Sequence, residues 1–104
     1  MNVLLTLEAI YDVADIADYI EAYFGDERSL LFQIEIEQRF HSLDSYKRTS
    51  TGIRYQNNPI YRDVFSPSLI FFVIVDDTIH VLRVLREERD WIKVLRDKQH
   101  YHYL

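Results

Sequence analysis

The sequence of 104 residues has no cysteine and only two glycines and two prolines. Without cysteine the chain can form neither a disulfide nor a thiolate metal site, so a domain of this size must rely on packing in a reducing compartment. We therefore expect a cytoplasmic protein. The length suffices for one modest core and not for two, which predicts a single domain over residues 1–104.

Long hydrophobic runs are also missing. The longest apolar run, Leu69 to Val75, is far shorter than the roughly 20 residues that a membrane helix requires. The N-terminus has no basic region followed by a long apolar stretch, as a secretory signal would have. The sequence therefore predicts a protein that neither crosses a membrane nor is secreted.

Positive charge is scarce overall and unevenly distributed. The formal net charge is -5; residues 1–46 contain ten of the seventeen acidic side chains but two of the twelve basic ones. The overall acidity argues against broad, non-specific binding of nucleic acid. The mildly basic second half, residues 47–104, remains a candidate surface for a partner.

The first half has the periodicity of one strand and two helices. The apolar run Asn2–Leu7 predicts a strand buried on both sides, and from Glu8 the period becomes helical until Gly25. The apolar stripe of this helix is expected at Ile10, Val13, Ala14, Ala17, Ile20 and Phe24, with Asp12, Asp15, Asp18 and Glu21 outside it.

A second helix is predicted from Glu27 to Asp44, with Asp26 as its N-cap. Its apolar stripe consists of Phe32, Ile36, Phe40 and Leu43. Because the link between the two helices is so short, they should pack as an antiparallel hairpin. Residues Lys47–Gly52 follow neither period and predict a loop.

The second half contains three strand-like runs, Ile60–Phe65, Leu69–Val75 and Ile79–Arg86, separated by turn residues. They predict an antiparallel meander whose fully apolar middle run is the central strand. Trp91, Ile92 and Leu95 then have helical spacing. The expected fold is α+β: an N-terminal strand, a helical hairpin packed on a mostly antiparallel sheet, and a short C-terminal helix.

Three segments resemble the RelE/ParE superfamily, the toxins of bacterial type II toxin-antitoxin (plasmid stabilisation) modules. Glu8–Ile20 resembles the first helix of these toxins, which ends in a D-Y-I-like triplet. Leu69–Leu85 resembles their two central strands around an acidic turn, and Arg89-Asp90-Trp91 follows the last strand where many members have an R-D or R-R pair. The order and spacing of the three segments together carry the resemblance, which spans all but the last few residues.

This resemblance implies a cognate antitoxin as partner and one of two activities. RelE-like members cut mRNA on the ribosome, and ParE-like members poison DNA gyrase. RNA cleavage through the 2'-hydroxyl needs a proton acceptor, cations and an acid. The candidates for the nuclease alternative are Arg54, Arg62, Arg83 and Arg86, with Arg83 expected on the pleat face of Ile79, Val81 and Leu85 and Arg86 on the opposite face.

The segment Leu85-Arg86-Glu87-Glu88 lies where many relatives carry a histidine. Arginine is a poor proton acceptor, and the two glutamates would repel RNA unless they are paired. The sequence therefore favours the ParE-like alternative and a toxin without catalytic chemistry, cofactor or metal. The acidic net charge keeps a third alternative open, a non-toxic relative that acts as a binding protein.

The surface for the target or the antitoxin is expected in the basic half. Its candidate residues are Arg62, Arg83, Arg86, Arg89 and Trp91. We expect this half to receive an acidic antitoxin segment. Whether the chain forms a homodimer or a hetero-oligomer with the antitoxin stays open, as does the role of the His/Tyr-rich C-terminus.

Overall fold

The computed structural model describes residues 1–104 and has the predicted α+β architecture. The strands are β1 (Asn2–Leu5), β2 (Thr49–Tyr55), β3 (Asn58–Phe65), β4 (Ser68–Val75) and β5 (Thr78–Arg86). The helices are α1 (Leu7–Phe24), α2 (Asp26–Phe40) and α3 (Trp91–Asp97), with a 3-10 turn at Leu43–Ser45. The sheet order is β1-β5-β4-β3-β2. None of the helices has both the length and the apolarity needed to cross a membrane.

The central position of β4 confirms the prediction made from its apolar run. It pairs antiparallel with β3 and β5, and its side chains alternate between two apolar clusters. The helix-side core lies between the sheet and the hairpin of α1 and α2; it includes Ile16, Ile36, Phe40, Phe72, Ile79 and Val81. The open-face core lies on the other side of the sheet beneath α3; it includes Phe71, Val73, Leu82, Leu85 and Leu95.

Thr6 and Gly25 define the ends of α1. The buried Thr6 hydroxyl accepts a hydrogen bond from the Ala9 N–H (2.9 Å) and donates one to the Leu82 carbonyl (2.7 Å), so it caps α1 and joins it to β5. Gly25 ends α1 at a φ of 93°, a region that favours glycine. The predicted Asp26 cap is wrong: Asp26 is the first residue of α2, and no side chain caps that helix.

The buried stripes of the two helices differ in how well the sequence predicted them. The stripe of α2 is confirmed, although the helix ends at Phe40 instead of Asp44. The stripe of α1 is rotated relative to the prediction. Its buried residues are Ala9, Asp12, Ile16, Ala17 and Ile20, so the expectation that Asp12 lies off the stripe is wrong. The reason is that its carboxylate pairs with Arg83, a residue distant in the sequence.

Two strand predictions also need correction. β1 pairs with β5 alone and is an edge strand, parallel to it, and Leu4 is 50% exposed, so it is not buried on both sides. The predicted loop Lys47–Gly52 is wrong from Thr49 onward, where β2 begins. This edge strand has an irregular register between Ser50 and Arg54 and few apolar residues, so no period of two was visible in its sequence.

A bulge in β5 changes which residues share a face. Phe71 pairs with Arg83 whereas Phe72 pairs with Val81, which leaves Leu82 as an extra residue. Val81 therefore belongs to the helix-side core, while Leu82 and Leu85 belong to the open-face core. The prediction that Arg83 shares one face with Ile79, Val81 and Leu85 is wrong, because it assumed unbroken alternation.

Candidate binding surface

Arg83 is held by a carboxylate of α1. Its Nε and one terminal nitrogen donate to the two oxygens of Asp12 at 2.7 and 2.9 Å, and both side chains are largely buried. The hydrogen bond from Arg83 to Asp12 raises the pKa of the guanidinium above its ordinary value, which outweighs the opposing effect of burial. The guanidinium of Arg83 is therefore already bound by a carboxylate of its own chain.

Asp12 has a third donor, the backbone N–H of Val84 at 2.9 Å. β1 ends opposite Val81, so the edge of β5 is free beyond that residue and the carboxylate can occupy it. Burial raises the pKa of Asp12, against the opposing hydrogen bonds from Arg83 and Val84. The Asp12 carboxylate thus joins α1 to the part of β5 that lies beyond the end of β1.

Arg86 and Arg89 lie at the end of β5 and beyond it. The Arg86 guanidinium lies over the ring of Tyr19, 4.0 Å from the centroid, and its Nε pairs with Glu88 at 3.0 Å. Arg89 is exposed and has no ion pair. Both line a cleft of about 250 Å³ between α1 and β5 that also contains Asp12, Asp15 and Tyr19.

A second, partly buried arginine joins α2, the other helix of the hairpin, to the sheet. Arg39 of α2 donates to both oxygens of Asp63 on β3, at 2.7 and 3.0 Å, and lies 3.5 Å from the ring centroid of Tyr46. The hydrogen bond to Asp63 raises the pKa of Arg39. This pair was not predicted, and it leaves Arg39 unavailable for a partner.

Arg62 differs from both of these arginines because it has no acceptor. Its Nε is buried without a hydrogen-bond partner. Its guanidinium carbon lies 5.5 Å from the ring centroid of Trp91, whose ring is 5.2 Å from that of Phe71 in the open-face core. Trp91 thus packs α3 on the sheet and also contacts the one partly buried arginine that lacks a carboxylate.

The candidate nuclease arginines do not converge. Arg54 lies near the β2–β3 turn, where it donates to the Asn57 carbonyl, and it alternates with Ile53 and Tyr55 of the open-face core. It therefore points to the opposite face from Arg62. Arg62 and Arg83 both pair with Phe71 and so share a face of the sheet, but Arg83 is bound by Asp12. Arg86 packs on Tyr19, so the four guanidiniums have different partners.

The C-terminal tail folds back onto the start of α1. Glu8 accepts hydrogen bonds from the His102 N–H (3.0 Å) and imidazole (2.7 Å), and it pairs with Lys98 at 3.2 Å. Burial opposes ionisation of Glu8, but the His102 and Lys98 hydrogen bonds outweigh it and lower the pKa to about 2. The Leu7 N–H also donates to the His102 carbonyl, which anchors the tail through backbone and side chain.

The rest of the tail packs on the open face of the sheet. Tyr103 and His80 share a hydrogen bond of 2.8 Å, and the Tyr101 ring lies edge-on to Tyr55 at 5.1 Å. The Tyr101 hydroxyl is buried without a partner, and burial raises its pKa to about 12. Tyr101, His102 and Tyr103 therefore make contacts within the fold.

The helical hairpin carries large apolar side chains that face solvent. Tyr23 is 71% exposed and Leu31 is 49% exposed. The others of this set are Tyr11, Tyr19, Phe24, Leu30 and Ile34. We call this set the hairpin surface. A concentration of exposed apolar side chains on one pair of helices is typical of a protein interaction site.

Sequence reasoning missed Asp12, Glu8 and Asp63, the carboxylates that hold the basic side chains. A signal for Asp12 did exist, since it lies three residues after Ala9 and four before Ile16, on one helical face. An acidic residue on a buried stripe implies a buried cation opposite. No comparable signal identified Glu8 or Asp63.

The sequence matches, over residues 3–91, the family model described as ParE toxin of type II toxin-antitoxin system, parDE. The fold is similar to a solved structure titled chromosomal ParDE TA system from P. aeruginosa, with a TM-score of 0.69 and 20% sequence identity. That match covers 85% of this chain and 97% of the other. No curated protein matches the sequence.

Proposed function

This chain belongs to the ParE toxin family of type II toxin-antitoxin systems, and on that basis we propose that it inhibits DNA gyrase in the cytoplasm and is neutralised by a cognate antitoxin. The observation that carries the choice of gyrase over mRNA is the disposition of the arginines. Arg83 is neutralised by Asp12, and Arg54 and Arg62 lie on opposite faces of the sheet. RNA cleavage requires several cationic and proton-transferring groups around one phosphate.

We propose that partners bind at two places. Arg62, Arg89 and Trp91 form the target-binding part, while Arg83 and Arg86 support the end of β5 from within the fold. The hairpin surface, instead of the basic half expected from the sequence, receives the antitoxin, because amphipathic segments bind by placing apolar anchors against such surfaces. Antitoxin binding in a hetero-oligomer then covers side chains that are exposed in the isolated chain.

A supercoiling assay tests the proposed target. Purified gyrase is incubated with relaxed plasmid, ATP and the purified chain, with and without the antitoxin encoded beside it. We expect the chain to inhibit supercoiling and to trap cleaved DNA, and we expect the antitoxin to reverse both effects.

Transcript mapping in a translation extract provides the counter-test. Cleaved mRNA at the ribosomal A site, with supercoiling unaffected, would replace the proposal with a RelE-like endonuclease. Harmless expression without the antitoxin, together with normal supercoiling and intact transcripts, would support a non-toxic binding relative instead.

A further inference from the structure

We propose that Arg62 and Trp91 form a binding site for a single carboxylate, through which the chain recognises an aspartate, a glutamate or a C-terminus of a protein partner. This inference rests on the proposed function in one respect only, namely that the surface faces the target. The chemistry of the site depends only on Arg62, Trp91 and their neighbours.

The first observation is an unused donor. Arg39 and Arg83 are partly buried like Arg62, and each has a carboxylate with two hydrogen bonds. Arg62 has no such acceptor, although its Nε is shielded from solvent. Buried polar groups are satisfied in the great majority of cases, so an arginine without an acceptor points to one supplied by another molecule.

The second observation is that the guanidinium is held in place. It lies 5.5 Å from the ring centroid of Trp91, and that indole packs on Phe71, which is fully buried in the central strand. Arg62 itself lies on β3, directly opposite Phe71 of β4. Sheet and indole thus limit the orientations of the side chain, so less conformational entropy is lost on binding.

The ligand class follows from shape and charge. A planar guanidinium matches the two oxygens of a carboxylate, and phosphate could occupy the same fork. A nucleic-acid backbone, however, needs many cations along its path, whereas residues 87–98 have four acidic and four basic side chains. Glu87 is held by Ser66 at 2.6 Å, close in sequence to Trp91, and adds negative charge. These features favour one carboxylate of a protein over a polyanion.

Trp91 is the only tryptophan, so intrinsic fluorescence reports directly on this site. The full chain is titrated at constant ionic strength with the acetylated, amidated peptide Gly-Glu-Gly, and in parallel with Gly-Gln-Gly as the neutral control. We expect a saturable change for the glutamate peptide alone, with a Kd of the order of 1–10 mM, as two hydrogen bonds between charged groups allow.

Three variants make the titration specific. R62M should lose saturation, R62K should bind several-fold more weakly because it lacks the fork, and R54M should behave as the native chain. Circular dichroism establishes that each variant is folded, and R62K keeps the test valid if R62M is not.

Several results would overturn the proposal. One is an equal fluorescence change with both peptides, and another is an undiminished change in R62M and R62K. A third is tighter binding of inorganic phosphate or of a thymidine oligonucleotide than of the glutamate peptide. Because the titration contains no gyrase, its failure would leave the proposed target untouched. Conversely, failure of the supercoiling assay would leave the carboxylate site untouched.

Discussion

The carboxylate of Asp12 and the guanidinium of Arg83 meet across 71 residues of chain, joined by hydrogen bonds of 2.7 and 2.9 Å. The same carboxylate accepts the Val84 N–H, just beyond the bulged residue Leu82. One side chain of the first helix therefore holds both the arginine and the free edge of the last strand. Removing the charge of Asp12 should therefore destabilise the fold.

Asp12→Asn should lower the free energy of unfolding by about 3 kcal/mol, because it leaves the buried Arg83 charge without its counter-charge. Urea denaturation monitored by circular dichroism measures the change. Asp15→Asn is the matched control, since Asp15 is exposed on the same helix, and it should change stability by less than about 0.5 kcal/mol.

The double variant Asp12→Asn/Arg83→Met should recover part of the loss, because replacing both partners removes the unpaired charge. If the Asp12→Asn variant and the native chain had equal stability, the ion pair would contribute nothing measurable to the free energy of unfolding. The role given to Asp12 in joining α1 to β5 would then be wrong.

Glu8 should make stability depend on pH in the acid range. Its folded pKa of about 2 lies below the ordinary value of 4.5, so its stabilising contribution is complete above 4.5 and is lost as the pH falls through 2. The stability difference between the native chain and Glu8→Gln should therefore shrink between pH 6 and pH 2.

The Glu8 carboxyl can also be followed directly by NMR. Its midpoint should lie near pH 2 in the native chain and should rise in His102→Ala, which removes the imidazole hydrogen bond. A midpoint near 4.5 in the native chain would mean that the C-terminal tail is not held at this carboxylate in solution.

Phe71→Ala should be among the most destabilising substitutions, costing about 4 kcal/mol. Phe71 is 0% exposed, lies on the central strand and supports Trp91. Val64→Ala on β3 is the control: Val64 is 53% exposed, and its change should be under about 0.5 kcal/mol. Denaturant midpoints compare the two, and similar values would contradict the packing described for the open face.

Leu31→Lys should weaken binding of the cognate antitoxin at least about tenfold, since loss of an interface anchor costs about 2 kcal/mol or more. The stability of the isolated chain should barely change, because Leu31 is 49% exposed. Isothermal titration calorimetry measures the affinity. Val64→Lys, on a strand away from the hairpin surface, is the control, and an equal loss in that variant would refute the proposed antitoxin site.

The elements with a clear period were predictable, and those without one were not. The stripe of α2 follows a helical period, and β4 is an uninterrupted apolar run, so the burial of both could be deduced from the sequence. β2 has an irregular register and little apolar surface. Its backbone is ordered by hydrogen bonds to β3, and such pairing leaves no local trace in the sequence.

The candidate site was likewise predictable only in part. The identities of Arg62 and Trp91 as binding residues were available as candidates from their positions in the basic half. Their contact was not, because 29 positions separate them and only the packing of α3 on the sheet brings them together. The availability of each arginine also depended on carboxylates that are distant in the sequence.

The sequence by itself predicted the α+β architecture and the central strand, because periodicity and composition act over a few neighbouring residues, and its resemblance to known toxins indicated the family. Which arginine is neutralised and which is left without an acceptor was decided by the tertiary structure. Asp12 reaches Arg83 because α1 packs against β5, and Arg62 lacks a carboxylate because no acidic side chain of the fold comes within reach of it. Charge pairing of this kind depends on distances in space, which a linear order of residues does not contain.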